Sequence, residues 1–167
     1  FRSRSVAAYK DGAKTRYDMP SLLTLALGYE INPRLRAALE YHFFDDKHAK
    51  MAGDRQKELK GVPNEFLLGV EWDITVQFTV SCGGQRTDYG LADGYQQNTS
   101  FACDSYSVGL GGAWKINDKM RLNVSYFKTI YSDYTKEQSS YCGLPYAGTD
   151  VYSRTNDVIG IGIDYKL

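Results

Sequence analysis

Hydrophobic residues recur at every second position over seven stretches of the chain, and this alternation constrains the fold more than any other feature. Successive side chains of a β-strand point to opposite faces, so a period of two predicts strands with one apolar and one polar face. In the clearest run, Leu23 to Tyr29, the apolar residues alternate with Thr24, Ala26 and Gly28. The predicted strands are 21–30, 35–44, 65–73, 76–83, 105–116, 120–126 and 159–167, with a weaker eighth at 1–9.

The lengths of the strands and of their connections favour a membrane barrel. Runs of about nine or more residues are long enough to cross a bilayer at a tilt. Short turns on one side and long polar loops on the other are typical of outer-membrane barrels. The short turns lie near 31–34, 73–75 and 117–119, and the long loops near 10–20, 45–63, 90–104 and 135–155. We therefore predict an all-β fold, an antiparallel transmembrane β-barrel of about eight strands, as one domain over residues 1–167.

Aromatic residues make up 14% of the chain and gather near the ends of the predicted strands. Aromatic rings at two levels match the two interfaces of a bilayer. Near the short turns they are Tyr29, Trp72, Phe78, Trp114 and Tyr165, and near the long loops Tyr41, Phe43, Phe66 and Tyr106. The alternative is a soluble β-sandwich or a lipocalin-like barrel, which would show the same alternation with its apolar face turned inward.

Composition excludes other classes. Lys and Arg number 20, and Asp and Glu also number 20, so no net positive charge favours a nucleic-acid partner. The chain contains no run of 18 apolar residues, so the sequence predicts no transmembrane helix. The chain begins at Phe1 with neither Met nor an apolar signal core, which predicts a mature chain or a piece of a longer one.

The polar face carries charged residues at positions where a small barrel encloses polar side chains. We expect these residues to form an ionic network inside the barrel: Arg36, Glu40, His42, Glu65, Glu71 and Arg121. A lipid-cleaving enzyme that uses His42 with Ser81 or Ser107 is a weaker hypothesis, since the chain lacks the G-x-S-x-G motif. We predict no enzymatic activity, no metal and no cofactor.

The three cysteines do not form a metal-binding pattern, because no C-x-x-C pair occurs and the histidines lie far from them in sequence. Cys103 and Cys142 both fall in loop-like segments, so a disulfide between them is one hypothesis for an oxidising compartment. Cys82 falls within a strand pattern, which predicts an ordinary buried or lipid-facing thiol.

The last strand, from Val158 to Leu167, resembles the terminal strand of an outer-membrane protein, with Tyr165 as the aromatic third from the end. Over residues 10–167 the chain resembles the C-terminal part of the FadL/TodX family of outer-membrane transporters. The ordered set that carries this resemblance is Tyr17-Asp18-Met19-Pro20-Ser21-Leu22-Leu23, Gly28-Tyr29, Tyr41-His42-Phe43-Phe44-Asp45, Asn64-Glu65, Gly69-Val70-Glu71-Trp72, Asp104-Ser105-Tyr106-Ser107, Gly109 and Gly160-Ile161-Gly162.

The resemblance implies passive transport of hydrophobic compounds, such as long-chain fatty acids, across the outer membrane of a Gram-negative bacterium. The family barrel has fourteen strands and an N-terminal plug, so this chain is expected to be its C-terminal half. Its expected partners are membrane lipid or detergent and hydrophobic small molecules. The alternative is a small structural barrel, or a barrel that docks other outer-membrane or secretion components, without transport activity.

Overall fold

The computed structural model describes residues 6–8, 12, 14–141 and 143–166, and most of them lie in one antiparallel sheet of seven strands. The predicted strands are confirmed to within a few residues at most ends. The strands of the sheet are β3 (Leu22–Asn32), β4 (Leu35–Phe44), β5 (Asn64–Asp73), β6 (Phe78–Asp88), β7 (Ser105–Asn117), β8 (Met120–Tyr131) and β11 (Thr155–Tyr165).

Each strand of the sheet pairs with the next in sequence, except that a hairpin intervenes between β8 and β11. The connection after β5 is longer than predicted, and β6 begins at Phe78 rather than at Val76. The turn is longer because the side chain of Thr75 caps it. The Thr75 hydroxyl accepts hydrogen bonds from the backbone N–H groups of Gln77 and Phe78. β6 also continues to Asp88, beyond the predicted end of that strand.

The expected closure into an eight-stranded barrel is not found, because the described sheet has seven strands and does not close. Of the weak eighth strand predicted at 1–9, residues 6–8 form β1 (Val6–Ala8), and the others lie outside the described residues. β1 pairs with β2 (Lys14–Arg16) in a separate hairpin rather than with the sheet. The six antiparallel steps from β3 to β11 leave these two edge strands running in the same direction. They cannot pair with each other in an antiparallel barrel.

The two faces of the sheet differ as the alternation predicts, and large apolar side chains stand exposed on the apolar one. Leu27 is 68% exposed, Leu110 63% and Ile161 74%. The register places Leu27 beside Leu39 and Leu39 beside Leu68, so apolar side chains adjoin one another across neighbouring strands. We call this surface the apolar face, and we call the opposite surface, which carries Gly28 and Arg36, the polar face.

The buried apolar residues lie at one end of the sheet, in the long connections, and form a loop layer made of residues 45–63, 89–104, 132–141 and 143–154. It contains a 3-10 helix (Asp46–His48), a second 3-10 segment (Ala52–Glu58) kinked at Gly53 and Asp54, and a hairpin of β9 (Tyr134–Gln138) and β10 (Gly148–Tyr152). The buried apolar residues of the described chain are Ala49, Leu59, Leu91, Ala92, Cys103 and Tyr152. The long polar loops predicted near 45–63 and 90–104, and the described part of the one near 135–155, are therefore folded.

Hydrogen bonds join the hairpin of the loop layer to residues 89–104. Tyr134 donates a hydrogen bond to Asp93 over 2.7 Å, and Tyr152 donates one to Asn98 over 3.0 Å. Burial, followed by the bond to Asp93, raises the pKa of Tyr134 to about 12. The phenol therefore stays protonated and able to donate across the neutral range.

No helix in the described part of the chain is long and apolar enough to span a membrane.

A close backbone crossing in the loop layer needs glycine at position 90. Gly90 has a φ of +59°, and a Cβ there would lie 2.5 Å from the Cα of Gly61. The carbonyl oxygen of Gly90 also accepts a hydrogen bond from the N–H of Lys60 over 2.7 Å. We expect Gly90→Ala to lower the free energy of unfolding by about 1–3 kcal/mol, measured by denaturant titration.

Gly28→Ala is the matched control, because Gly28 lies in a strand and a Cβ there meets no atom within 4 Å. We expect this variant to keep the wild-type stability. Limited proteolysis should cleave the Gly90→Ala chain faster within residues 45–63 and 89–104, where the crossing is lost. Equal stability and equal cleavage of the two variants would contradict the assignment.

Candidate functional site

A row of residues without large side chains crosses the middle of the polar face. Gly28, Ala38, Gly69, Gly83 and Gly109 are consecutive cross-strand partners on five neighbouring strands. A cavity of about 900 Å³ lies along this row. We call it the trough. Its polar-face lining also includes Glu40, Leu67, Glu71, Ser81, Gln85, Gly111 and Ser125.

One end of the row is bounded by an aromatic ring. Phe127 is the cross-strand partner of Gly109, and a Cβ at position 109 would stand 3.2 Å from the Phe127 ring. The ring therefore packs against the backbone of Gly109. Only glycine, which has no side chain, allows this close contact at position 109. At Gly28 and Gly69 a Cβ would meet no atom within 4 Å, so the trough is open along β3 and β5.

A cluster centred on Glu65 bounds the trough toward the loop layer. Its carboxylate accepts hydrogen bonds from Gln85 over 2.9 Å and from the Thr87 hydroxyl over 3.0 Å. The second oxygen of Glu65 lies 3.1 Å from Nδ1 of His42, and Nε2 of His42 lies 3.2 Å from Glu40. The imidazole therefore joins two carboxylates on adjacent strands, and both of its nitrogens have partners.

A second cluster bounds the trough toward the short turns. Arg36 bonds to Glu71 over 2.7 Å and to Asp73 over 2.9 Å, and Asp73 accepts a hydrogen bond from Thr79 over 2.7 Å. Three strands, β4, β5 and β6, are joined in this way. Arg121 lies on β8 and lines a recess of about 450 Å³ together with Arg36 and Asp73.

The structure thus divides the six charged residues singled out from the sequence into two groups on one face. Glu40, His42 and Glu65 lie together near the loop layer. Arg36 and Glu71 form an ion pair near the short turns, where Arg121 lines the recess beside them. Sequence reasoning missed the neutral partners of these charges. The alternation with apolar residues could have identified Thr79, between Phe78 and Val80, but not Gln85 and Thr87, whose neighbours Gly84, Arg86 and Asp88 are not apolar.

The structure does not bring His42 to either serine of the enzyme hypothesis. Ser107 forms a hydrogen bond of 3.0 Å with Thr129, and the hydroxyl of Ser81 lies against the backbone of Gly111. The His42 ring nitrogens face Glu65 and Glu40 instead. Among the described residues, no group of three or more His, Cys, Asp or Glu side chains is placed to hold a metal ion.

The two described cysteines occupy different environments. Cys82 is exposed on the apolar face. Cys103 is buried in the loop layer, and its Sγ lies 3.5 Å from the carbonyl oxygen of Tyr152. Burial raises the pKa of the Cys103 thiol, which disfavours the thiolate form. The proposed pairing with Cys142 stays a prediction, because Cys142 lies outside the described residues.

No protein-family model matches this chain, and no curated protein matches it either.

The cluster toward the loop layer depends on Glu65, because the Glu65 carboxylate contacts three side chains. We expect Glu65→Gln to lower the free energy of unfolding by about 1–3 kcal/mol. The amide NH₂ of glutamine is a donor, so it cannot accept the hydrogen bonds that Gln85, Thr87 or His42 donate to the carboxylate. Denaturant unfolding followed by tryptophan fluorescence measures this loss.

Glu40→Gln is the matched control for that experiment. Glu40 is 41% exposed against 18% for Glu65, and its described partner is His42 alone. We expect a loss below about 1 kcal/mol for Glu40→Gln, as for other solvent-exposed ion pairs. A loss at Glu40 as large as that at Glu65 would contradict the ranking.

Proposed function

We propose that this chain forms part of the wall of an outer-membrane β-barrel through which hydrophobic compounds, such as long-chain fatty acids, cross passively. The observation that carries the proposal is the exposed apolar face. Exposed apolar patches larger than a few hundred Å² are rare on soluble monomers and mark surfaces with a partner. A bilayer is the partner that fits a face extending over all seven strands.

The dimensions of the sheet support a bilayer as this partner. Its strands have between 10 and 13 residues. About 9–11 tilted residues suffice to cross the hydrocarbon core. The aromatic pair Tyr41 and Phe66, with ring centroids 4.7 Å apart, lies near the loop layer, and the stacked pair Phe78 and Trp114, at 5.9 Å, lies near the short turns. Such rings at both levels are typical of the interfacial girdles of outer-membrane barrels.

The open edges of the sheet support a barrel with more strands than the seven described. Unpaired backbone groups cost several kcal/mol each in hydrocarbon, so both edges need partners in a membrane. Because β3 and β11 run in the same direction, an antiparallel barrel closes only with an odd number of added strands. One added strand gives eight, and seven give fourteen, the number in the FadL/TodX family.

The trough favours the larger barrel. An eight-stranded barrel has an interior that its own side chains fill. Here the middle of the polar face carries four glycines and one alanine in a row, and these leave a cavity instead of filling one. A wider lumen with this trough in its wall has room for a passing hydrophobic molecule. Passive passage needs no covalent step and no cofactor.

A second candidate is a structural or partner-docking barrel of the outer membrane without transport activity. The folded loop layer favours it, because hydrogen bonds hold the hairpin β9–β10 against residues 89–104 and give a fixed surface for another protein. The two candidates share the same membrane placement. They differ in whether the lumen carries molecules.

Membrane placement is tested with the two tryptophans of the chain, because both belong to the apolar face. Trp72 is 50% exposed and Trp114 is 43% exposed. We expect vesicles of phosphatidylcholine with brominated acyl chains to quench most of the tryptophan fluorescence of the inserted full chain. Vesicles with unbrominated chains are the control. Unchanged fluorescence in the brominated vesicles would overturn the membrane assignment.

Transport is tested by narrowing the trough. Gly69 faces the trough, and a Cβ there meets no atom within 4 Å, so we expect Gly69→Phe to fold and to obstruct the lumen. Gly112→Phe is the control, because Gly112 lies on the apolar face and is equally open. Cells that express the whole native protein should take up labelled long-chain fatty acid, several-fold less with Gly69→Phe and equally with Gly112→Phe. Uptake unchanged by removal of the gene would favour the second candidate.

A further inference from the structure

One arginine stands on the apolar face near its boundary with the loop layer. The register places seven outward-facing residues in one row across the sheet, and Arg86 is the charged residue in it. The row is Leu25, Tyr41, Phe66, Arg86, Tyr106, Ile130 and Thr155. Arg86 is exposed and lies two residues before the end of β6 at Asp88.

The guanidinium of Arg86 is held by an aromatic ring and not by a carboxylate. Its Cζ lies 5.1 Å from the ring centroid of Tyr106, which is its cross-strand partner. No ion pair joins it to a carboxylate within the described chain. A guanidinium stacked on a ring keeps its N–H groups at the edge, where they can bond to two oxygens of a phosphate.

The neighbouring charged groups on the apolar face are engaged with other partners. Asp88 accepts a hydrogen bond from the backbone N–H of Gly90 over 3.0 Å. Asp157 accepts one from the Tyr126 hydroxyl over 2.5 Å and one from Lys128 over 3.3 Å. Lys128 is thus balanced by Asp157, which among the described residues leaves Arg86 as the cation on this face that an anion can approach.

Below Arg86, toward the short turns, the apolar-face residues of β5, β6 and β7 carry no charge, and the nearest charged side chains are the paired Lys128 and Asp157 beside Val108. Leu68, Val108 and Leu110 are between 56% and 63% exposed on the neighbouring strands. A cation above an apolar strip is complementary to a molecule with an anionic head and hydrocarbon tails. Cationic side chains near a membrane surface attract anionic lipids by about 1 kcal/mol each.

We propose that Arg86 binds the phosphate of an anionic membrane lipid in the leaflet on the side of the loop layer, with the acyl chains of that lipid against Leu68, Val108 and Leu110. Tyr106 positions the guanidinium and does not itself bind the phosphate. This proposal rests on the proposed membrane placement and adds a specific lipid site to it.

The test compares the full chain with three variants in uncharged detergent, exposed to an equimolar mixture of phosphatidylglycerol and phosphatidylcholine. Native mass spectrometry counts the lipids that each form retains. We expect the wild type to retain phosphatidylglycerol preferentially and Arg86→Gln to reduce this preference about five-fold, as the loss of about 1 kcal/mol implies. Arg86→Lys should keep part of it, because a point charge remains without the bidentate geometry.

Arg121→Gln is the matched control, because it removes the same charge from the polar face and should leave the preference unchanged. An equal loss in Arg121→Gln, or an unchanged preference in Arg86→Gln, would overturn the site. Brominated-lipid quenching of the same proteins separates the two proposals. If the chains are quenched but show no preference for phosphatidylglycerol, only the lipid site fails. If no chain is quenched, the membrane placement fails and the site fails with it.

Discussion

The register of six antiparallel strand pairs is the constraint on which the rest of this structure depends. In a strand, a slip of one residue moves every side chain to the other face. The same register that aligns Leu27 with Leu39 on the apolar face aligns Gly28 with Ala38 on the polar face. The exposed hydrophobic surface and the trough are therefore two consequences of one pairing pattern, and neither can be changed without the other.

On the polar face, charged and small residues occupy different positions along the strands. Paired charges lie at two levels, around Glu65 and around Arg36, and the row of glycines lies between them. Charges with partners on adjacent strands stabilise the sheet without filling its middle, because their side chains bond sideways to neighbours. The small residues are then left to define the space. This arrangement separates the residues that hold the sheet together from the small residues that line the trough.

The sequence was sufficient to predict the strands, because a period of two is a property of each segment alone. It was insufficient for the loop layer, where the contacts are single hydrogen bonds between segments far apart, such as Tyr152 with Asn98. The end of β6 was also missed, since Gly83 and Gly84 interrupt the apolar alternation before Gln85 and Thr87, which complete the Glu65 cluster. The expected eight-stranded closure is not found because residues 6–8, part of the expected eighth strand, pair locally with residues 14–16 and not with the sheet.

The parity of the sheet links the fold to the proposed function. Seven strands leave β3 and β11 parallel to one another, and their unpaired backbone groups require an odd number of further strands in a membrane. The smallest solution, one strand, gives a barrel too narrow for anything but its own side chains. The glycines of the trough would then leave space unfilled in the middle of that barrel. In the proposed wider barrel the same glycines form part of a passage, so positions 28, 69, 83 and 109 favour the larger closure, whereas the edges require only that the number of added strands be odd.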